Sequence, residues 1–441
     1  MRRSILAFSL GLLGVAACGG SSDNGSADMA SSLPNFGALA RGGYLMKGLV
    51  DCAGCHTSDP TKLFAGGNKF DLDNDGHYVY SRNLTPDPKT GLKLTEEQFL
   101  TVMRTGEDFH HPGTILMVMP WANYRWMSTD DLKAIYAVLQ QLPAVENEVP
   151  DSNKGPFATV APIPFPKTYN EGEEVRPLPP EEGPDPFDPT KTAPVPDPGH
   201  AVRGAAIVPL AYQKMPGFFS RTAAEQASFG RGAYLVNAGV CSECHTNRGG
   251  YSRVIELGAD FLKVPPDYFL TGGTVFAVPP SLNPVLKQTR TMAANLIGPS
   301  GFFNEPGMTY LKFAAVIQTM SHADDDPPMP LGFPMPASSL RTLSADDLLD
   351  IYTYLKILAE EYDRSKQVDK VTQSYARYCT GQSDCGPTET CFVDASSDKK
   401  VNNQCVGRAC ESDDDCDACQ KCSAKACVQP SADDACLRTG R

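Results

Sequence analysis

Two segments 216 residues apart share one apolar spacing. In the first, Leu132, Ile135, Tyr136 and Leu139 follow Ser128-Thr129-Asp130-Asp131; in the second, Leu348, Ile351, Tyr352 and Leu355 follow Ser344-Ala345-Asp346-Asp347. Apolar residues at i, i+3, i+4 and i+7 make one buried helical stripe. A serine with an acid three residues on predicts a capping box at each helix start. An earlier pair of helices is predicted at Thr95 to Arg104, with Phe99, Val102 and Met103 on one face before the stop at Gly106, and at Thr309 to Thr319, with Phe313, Val316 and Ile317. Earlier still stand Arg41-Gly42-Gly43-Tyr44-Leu45 and Arg231-Gly232-Ala233-Tyr234-Leu235. Each is expected near the end of a helix whose small residues admit close approach by another, with Tyr136 and Tyr352 packing onto them.

The patterns occur in one order twice, so the chain reads as an internal repeat. Residues 34–145 and 216–362 are expected to be two tandem helical domains. The second is longer, with extra loops around Pro265 to Leu296 and Ser321 to Pro334. Residues 146–215 are rich in proline and acid, as in Pro177-Leu178-Pro179-Pro180-Glu181-Glu182. That composition excludes a continuous helix or central strand and leaves an irregular spacer or a strap over the domains. At 441 residues the chain is long enough for several cores.

The amino terminus reads as a secretory signal over residues 1–17: Arg2 and Arg3, the apolar run Ile5 to Leu13, then Val15-Ala16-Ala17-Cys18. The last four resemble a bacterial lipobox, with Cys18 as the lipidated mature residue. A signal cut elsewhere is the alternative. Residues 18–33 are polar and fit a flexible tether. By resemblance, Gly19 after Cys18 favours the outer membrane over inner-membrane retention, facing the periplasm or the exterior. The net charge of −13 argues against nucleic acid and for a basic partner surface.

The fifteen cysteines divide unevenly. Ten lie from Cys379 to Cys436, behind a linker at 363–378. Residues 379–441 are expected to be a small disulfide-rich module of an oxidising compartment. Cys416-Asp417-Ala418-Cys419 is followed by Gln420, and no histidine follows His322, which leaves an all-thiolate zinc site as the alternative there.

Four more cysteines form Cys52-Ala53-Gly54-Cys55-His56 and Cys241-Ser242-Glu243-Cys244-His245. C-x-x-C-H is the attachment pattern of c-type haem: two thiols for thioethers, then a histidine as proximal iron ligand. C-x-x-C alone also serves thiol redox and zinc sites. Two covalently bound haems c are expected, with His56 and His245 on the irons. A methionine as sixth ligand gives an electron-transfer haem of raised potential. Met119 and Met335, each before proline at one place in the repeat, are the candidates. Met117, Met127, His110 and His111 are rivals in the first copy; Met320, Met329 and His322 are rivals in the second. For His77, His110, His111, His200 and His322, surface or hydrogen-bonding roles are expected.

The first copy carries Gly66-Gly67, Asn83-Leu84-Thr85-Pro86-Asp87, Arg104-Thr105-Gly106 and Met119-Pro120-Trp121. It resembles the cytochrome c domains in multihaem subunits of periplasmic alcohol and aldehyde dehydrogenases. In that pattern a Met-Pro-Tyr supplies the distal ligand, which implies Met119, with Trp121 in the place of tyrosine. The second copy keeps Gly272-Gly273 and a worn Asn295-Leu296-Ile297-Gly298-Pro299, and Gln318-Thr319 stands for the Arg-Thr step. The resemblance implies a mainly α fold of two tandem cytochrome c-like domains. It also implies a redox protein as partner, a periplasmic dehydrogenase or an envelope electron-transfer chain. The expected function is outer-sphere electron transfer by a membrane-tethered dihaem cytochrome. A haem enzyme, such as a dihaem peroxidase or a substrate-oxidising cytochrome, and a surface-binding lipoprotein acting through its tail are the alternatives.

Overall fold

The computed structural model describes residues 36–72, 75–165, 168–171, 174–177, 198–207, 217–246, 254–255, 269–277, 288–298, 301–322, 329–332 and 334–361, with short strands beyond. The signal segment, Cys18 and the tether lie outside the described residues, as do the proline-rich stretch at 178–197 and the side chains of the tail cysteines.

The first half builds α1 (Phe36–Gly48), α2 (Cys52–His56), a hairpin of β1 (Lys69–Asp71) and β2 (Tyr78–Tyr80), α3 (Glu96–Thr105), α4 (Trp121–Tyr124) and α5 (Thr129–Leu139). Two short strands, β3 (Thr168–Glu171) and β4 (Glu174–Pro177), pair antiparallel. Then come α6 (Pro198–Ile207), α7 (Ala223–Ala238), α8 (Cys241–His245), β5 (Val275–Ala277), β6 (Gln288–Met292) and α9 (Tyr310–Thr319). They are followed by β7 (Ser321–His322), β8 (Met329–Pro330), α10 (Ala337–Leu340) and α11 (Ala345–Glu361). Strand β9 (Ala376–Arg377) pairs with β6. The last four strands, β10 (Glu389–Phe392), β11 (Gln404–Ala409), β12 (Lys421–Ser423) and β13 (Ala426–Val428), form one sheet in the order β10-β11-β13-β12. Its backbone register sets Cys391 opposite Cys405 and Cys422 opposite Cys427. Among the described residues the chain is mainly helical, and no helix is long and apolar enough to cross a membrane.

Local chemistry explains the helix ends. Thr95 caps α3 with Gln98 in a reciprocal capping box, and Gly106 ends it at φ 72°. Thr222 and Glu225 do the same at the start of α7. Ser128 Oγ accepts the Asp131 N–H and Ser344 Oγ the Asp347 N–H, both at 3.1 Å. The expected return bonds from Asp131 and Asp347 to the serine N–H groups are not made. A tyrosine hydroxyl intervenes at each site: Ser128 N–H donates to Tyr234 and Ser344 N–H to Tyr44.

Glycine fixes the packing of the opening helices. Gly42 lies against the Ala134 carbonyl and Val138, and Gly232 against the Asp350 carbonyl and Tyr354, so a Cβ at either would clash. Arg41 forks onto Asp131 at 2.8 and 2.9 Å, and Arg231 onto Asp350 at 2.6 and 2.9 Å. Tyr136 and Tyr352 do not pack on these glycines as the stripe predicts. Tyr136 lies about 200° round the helix from Ala134, at 3.6 residues per turn. It meets Phe99 instead and donates to the Leu94 carbonyl at 2.8 Å. Tyr352 likewise turns to Phe313 and the Met308 carbonyl.

One buried core runs through both halves, from Leu45, Leu49, Phe99, Leu132 and Ile135 to Tyr234, Phe303, Phe313, Leu348 and Leu355. A smaller cluster gathers Leu72, Val79, Ile115, Met117, Trp121 and Phe157. Phe157 comes from a strap of residues after α5. Its Asn153 and Val160 carbonyls accept from Tyr78 and Ile115, and its Ile163 N–H donates to Thr105. Helix α6 crosses α7 through small residues, with Gly204 against the Gly230 carbonyl and Gly230 against the Ala201 carbonyl.

Candidate haem-attachment sites

Each C-x-x-C-H sequence is one short helix, α2 or α8, entered through a left-handed residue: Asp51 at φ 41° and Val240 at φ 60°. The sharp entry places both cysteines, three residues apart, on one helical face. All four thiols are free. Burial pushes Cys52, Cys241 and Cys244 up to about 12 and raises Cys55, with help from the Asp51 carboxylate at Cys52 and Cys55. A thiol-exchange site needs the opposite shift, toward thiolate at neutral pH. Among the described residues, no group of three His, Cys, Asp or Glu side chains is placed to hold a metal ion.

The histidines are held alike. His56 Nδ1 donates to the Arg82 carbonyl at 2.8 Å, and His245 Nδ1 to the Ala294 carbonyl at 2.7 Å. Burial lowers both imidazoles from their ordinary value, against the opposing pull of those carbonyls. The outcome in each case is a neutral ring, protonated on Nδ1, with Nε2 left as a lone-pair donor. That is the state a metal-ligating histidine requires.

The glycine pairs build the backbone behind the histidines. Gly66 and Gly67 sit at φ 74° and 95°, Gly272 and Gly273 at 78° and 95°. Gly66 N–H donates to the His56 carbonyl at 2.8 Å and Gly272 N–H to that of His245 at 2.6 Å. Asn83 and Asn295 follow the two carbonyl acceptors. Asn83 is fully engaged with Thr85, Thr90 and Val145, whereas Asn295 Oδ1 accepts the Gly298 N–H and its buried amide nitrogen has no partner.

Met119 and Met335 are half-buried against the common core, as are Cys52 and Cys241. Met119 lies between two three-residue turns: its N–H donates to Met117 across Val118 at φ 71°, and its carbonyl accepts from Trp121. Met335 hangs on a wider turn, its N–H donating to Gly332. Met117 belongs to the smaller cluster, Met127 is fully buried, and Met320 ends α9 in a left-handed conformation. His110 is exposed, and His111 Nδ1 pairs with Asp108 at 3.0 Å. His200 Nε2 lies 3.3 Å from Asp131, and the His77 ring meets Phe157 edge-on. The side chains of His322 and Met329 lie outside the described residues.

Sequence reading missed the residues that join the two sites. Asn123 on α4 donates to Ser242 Oγ on α8 at 3.0 Å and exchanges bonds with Asn237. Ser339 on α10 hydrogen-bonds the Asp51 carboxylate before α2. Asn123 and Ser339 lie 216 residues apart, the spacing shared by the two capped helices, and that register was the available signal.

Fold and site together define a mainly helical chain whose two C-x-x-C-H sequences are short helices, each with its histidine held through Nδ1. No family model matches it. Part of it is similar to the cytochrome c subunit of a quinone-dependent alcohol dehydrogenase from Gluconobacter oxydans, 33% identical over 118 residues, or 26% of this chain and 24% of that one. It is also similar to the gluconate 2-dehydrogenase cytochrome c subunit of Pantoea cypripedii, 33% identical over 138 residues, 31% and 28% of the two chains. The fructose dehydrogenase cytochrome subunit of Gluconobacter japonicus is 32% identical over 104 residues, 23% and 21%. The chain thus spans about a quarter of the length of the cytochrome subunits it matches. These similarities support a relationship to c-type cytochromes and covalently bound haem c.

Proposed function

We propose that this protein is a dihaem c-type cytochrome of the bacterial envelope that relays electrons between a dehydrogenase-type donor and an envelope acceptor. Residues 34–145 and 216–362 are its two haem domains, Cys18 its lipid anchor, and residues 379–441 a disulfide-rich contact module. The observation that carries the reading is the pair of five-residue helices whose histidines are each pinned through Nδ1 to a backbone carbonyl.

The residues fit the group. Cys52 and Cys55, and Cys241 and Cys244, would hold it by thioethers, with His56 and His245 beneath it and Met119 and Met335 as sixth ligands. Haem held there supplies a one-electron iron couple. The carbonyls of Arg82 and Ala294 keep each imidazole in one tautomer and orientation. The soft thioethers of Met119 and Met335 would suit an iron that must keep the same protein ligands in both oxidation states. His245 is buried, whereas His56 is half-buried on a helix whose Cys55 is exposed.

The test is haem stoichiometry by pyridine haemochrome on protein from a maturation-competent host, with redox titration of wild type, Met119→Ala and Met335→Ala. Two haems are expected, and each variant should lower the potential of one site only. A single haem, or unchanged titrations in both variants, would sink the reading.

A further inference from the structure

The two sites are joined at their chemical ends. Asn123 stands four residues after Met119, on the helix that the Met-Pro turn initiates. Its amide nitrogen donates to Ser242 Oγ at 3.0 Å, and Ser242 lies between the two cysteines of the other motif. Both residues are buried, with 3% and 6% of their surface exposed, so water does not compete for the bond. Hydrogen bonds shorten the way from the methionine, because Trp121 N–H donates to Met119 and Asn123 N–H to Pro120.

The neighbouring residue strengthens the junction. Tyr124 is buried and donates to the carbonyl of Val50, two residues before Cys52, at 3.1 Å.

The reciprocal contact is weaker. Ser339, at the place of Asn123 in the second half, reaches Asp51, which lies outside the motif and is only half-buried. Leu340 stands where Tyr124 does.

We propose that the Asn123–Ser242 hydrogen bond is the electronic bridge between the two haem sites, carrying electrons from the methionine arm of the first to the attachment helix of the second. The proposal rests on the dihaem reading. Tunnelling through a hydrogen bond outpaces tunnelling across the gap left when the bond is removed. Asn237 supplies the control: its side chain bonds the backbone carbonyl of the same Asn123 at the same interface, and it lies outside the C-x-x-C-H sequence.

The experiment reduces one site of the full-length holoprotein with a photochemical pulse and follows internal electron exchange by haem absorbance. Both midpoint potentials are measured alongside, because a changed driving force also moves the rate. Asn123→Ala and Ser242→Ala should each slow exchange several-fold at unchanged potentials, and the double variant no further, since one bond is lost in all three. Ser242→Thr keeps an Oγ, and Asn123→Asp can accept from the serine hydroxyl; both should restore most of the rate. Asn237→Ala should leave it unchanged. Unaltered exchange in Asn123→Ala and Ser242→Ala, with two haems present, overturns the bridge alone. Equal slowing in Asn237→Ala also overturns it, because interface packing would then explain the effect. A single haem in the wild type overturns the dihaem reading itself.

Discussion

The Tyr234 hydroxyl donates to Asp131 Oδ2 at 2.7 Å while accepting the Ser128 N–H at 2.9 Å. It thereby completes a helix cap in the other half of the chain. Tyr44 does the same for Ser344 and Asp347. Each half lends one phenol to the other, so the two sites are held in register by paired caps. Tyr234→Phe leaves a buried N–H unpaired and removes a donor from a buried carboxylate, a loss of about 1–3 kcal/mol. Tyr44→Phe should cost less, because Ser344 is exposed and Asp347 only half-buried. Denaturant titration of the two variants should give that order; equal costs would contradict the burial argument.

Asp131 predicts an acid-sensitive interface. Burial pushes its carboxyl up, but the Arg41 ion pair outweighs that, helped by His200 and the Tyr234 hydroxyl, and holds it at about 2. A depressed carboxyl stabilises the fold above its unfolded value near 4 and loses that contribution as the pH falls toward 2. The contribution is on the order of 2 kcal/mol. Thermal midpoints should fall between about pH 4 and pH 2 in the wild type, and less in Asp131→Asn, which starts lower.

The periodicity made the helices legible, because Phe99, Val102, Met103 and their counterparts are the residues buried in α3 and α9. Turn chemistry was legible for the same local reason, as at Gly106. The cap tyrosines were not. Nothing near Ser128 signals a hydroxyl donated from residue 234, and a capping box satisfied within itself is the simpler local expectation. Asn123 and Ser242 were hidden similarly: an amide and a hydroxyl 119 positions apart acquire meaning only when α4 meets α8.

Adjacent glycines on α1 should respond oppositely. A Cβ at Gly42 runs into the Ala134 carbonyl, a backbone group that cannot step aside, whereas a Cβ at Gly43 meets nothing. Gly43→Ala should stabilise by about 0.5–1 kcal/mol through helix propensity. Gly42→Ala should separate α1 from α5 and lower stability by more than that gain. The thermal midpoints of the two single variants decide the matter; a shift of the same sign in both would refute the close crossing.

Gly272→Ala should disable the second site and spare the first. Gly272 is at φ 78°, and a Cβ there would meet Asn295 N at 2.5 Å and the Ala293 carbonyl at 2.6 Å. Both flank Ala294, whose carbonyl holds His245 Nδ1. The collision and the left-handed conformation cannot both be relieved without moving that carbonyl, which frees the imidazole to turn. The control is Gly76→Ala, at φ 85° in open space, which carries only the conformational cost of about 1–2 kcal/mol. On the proposed dihaem reading, haem stoichiometry and low-spin absorbance should drop by half in Gly272→Ala and hold in Gly76→Ala. Full stoichiometry and unchanged spectra in Gly272→Ala would show that the Ala294 carbonyl does not position His245.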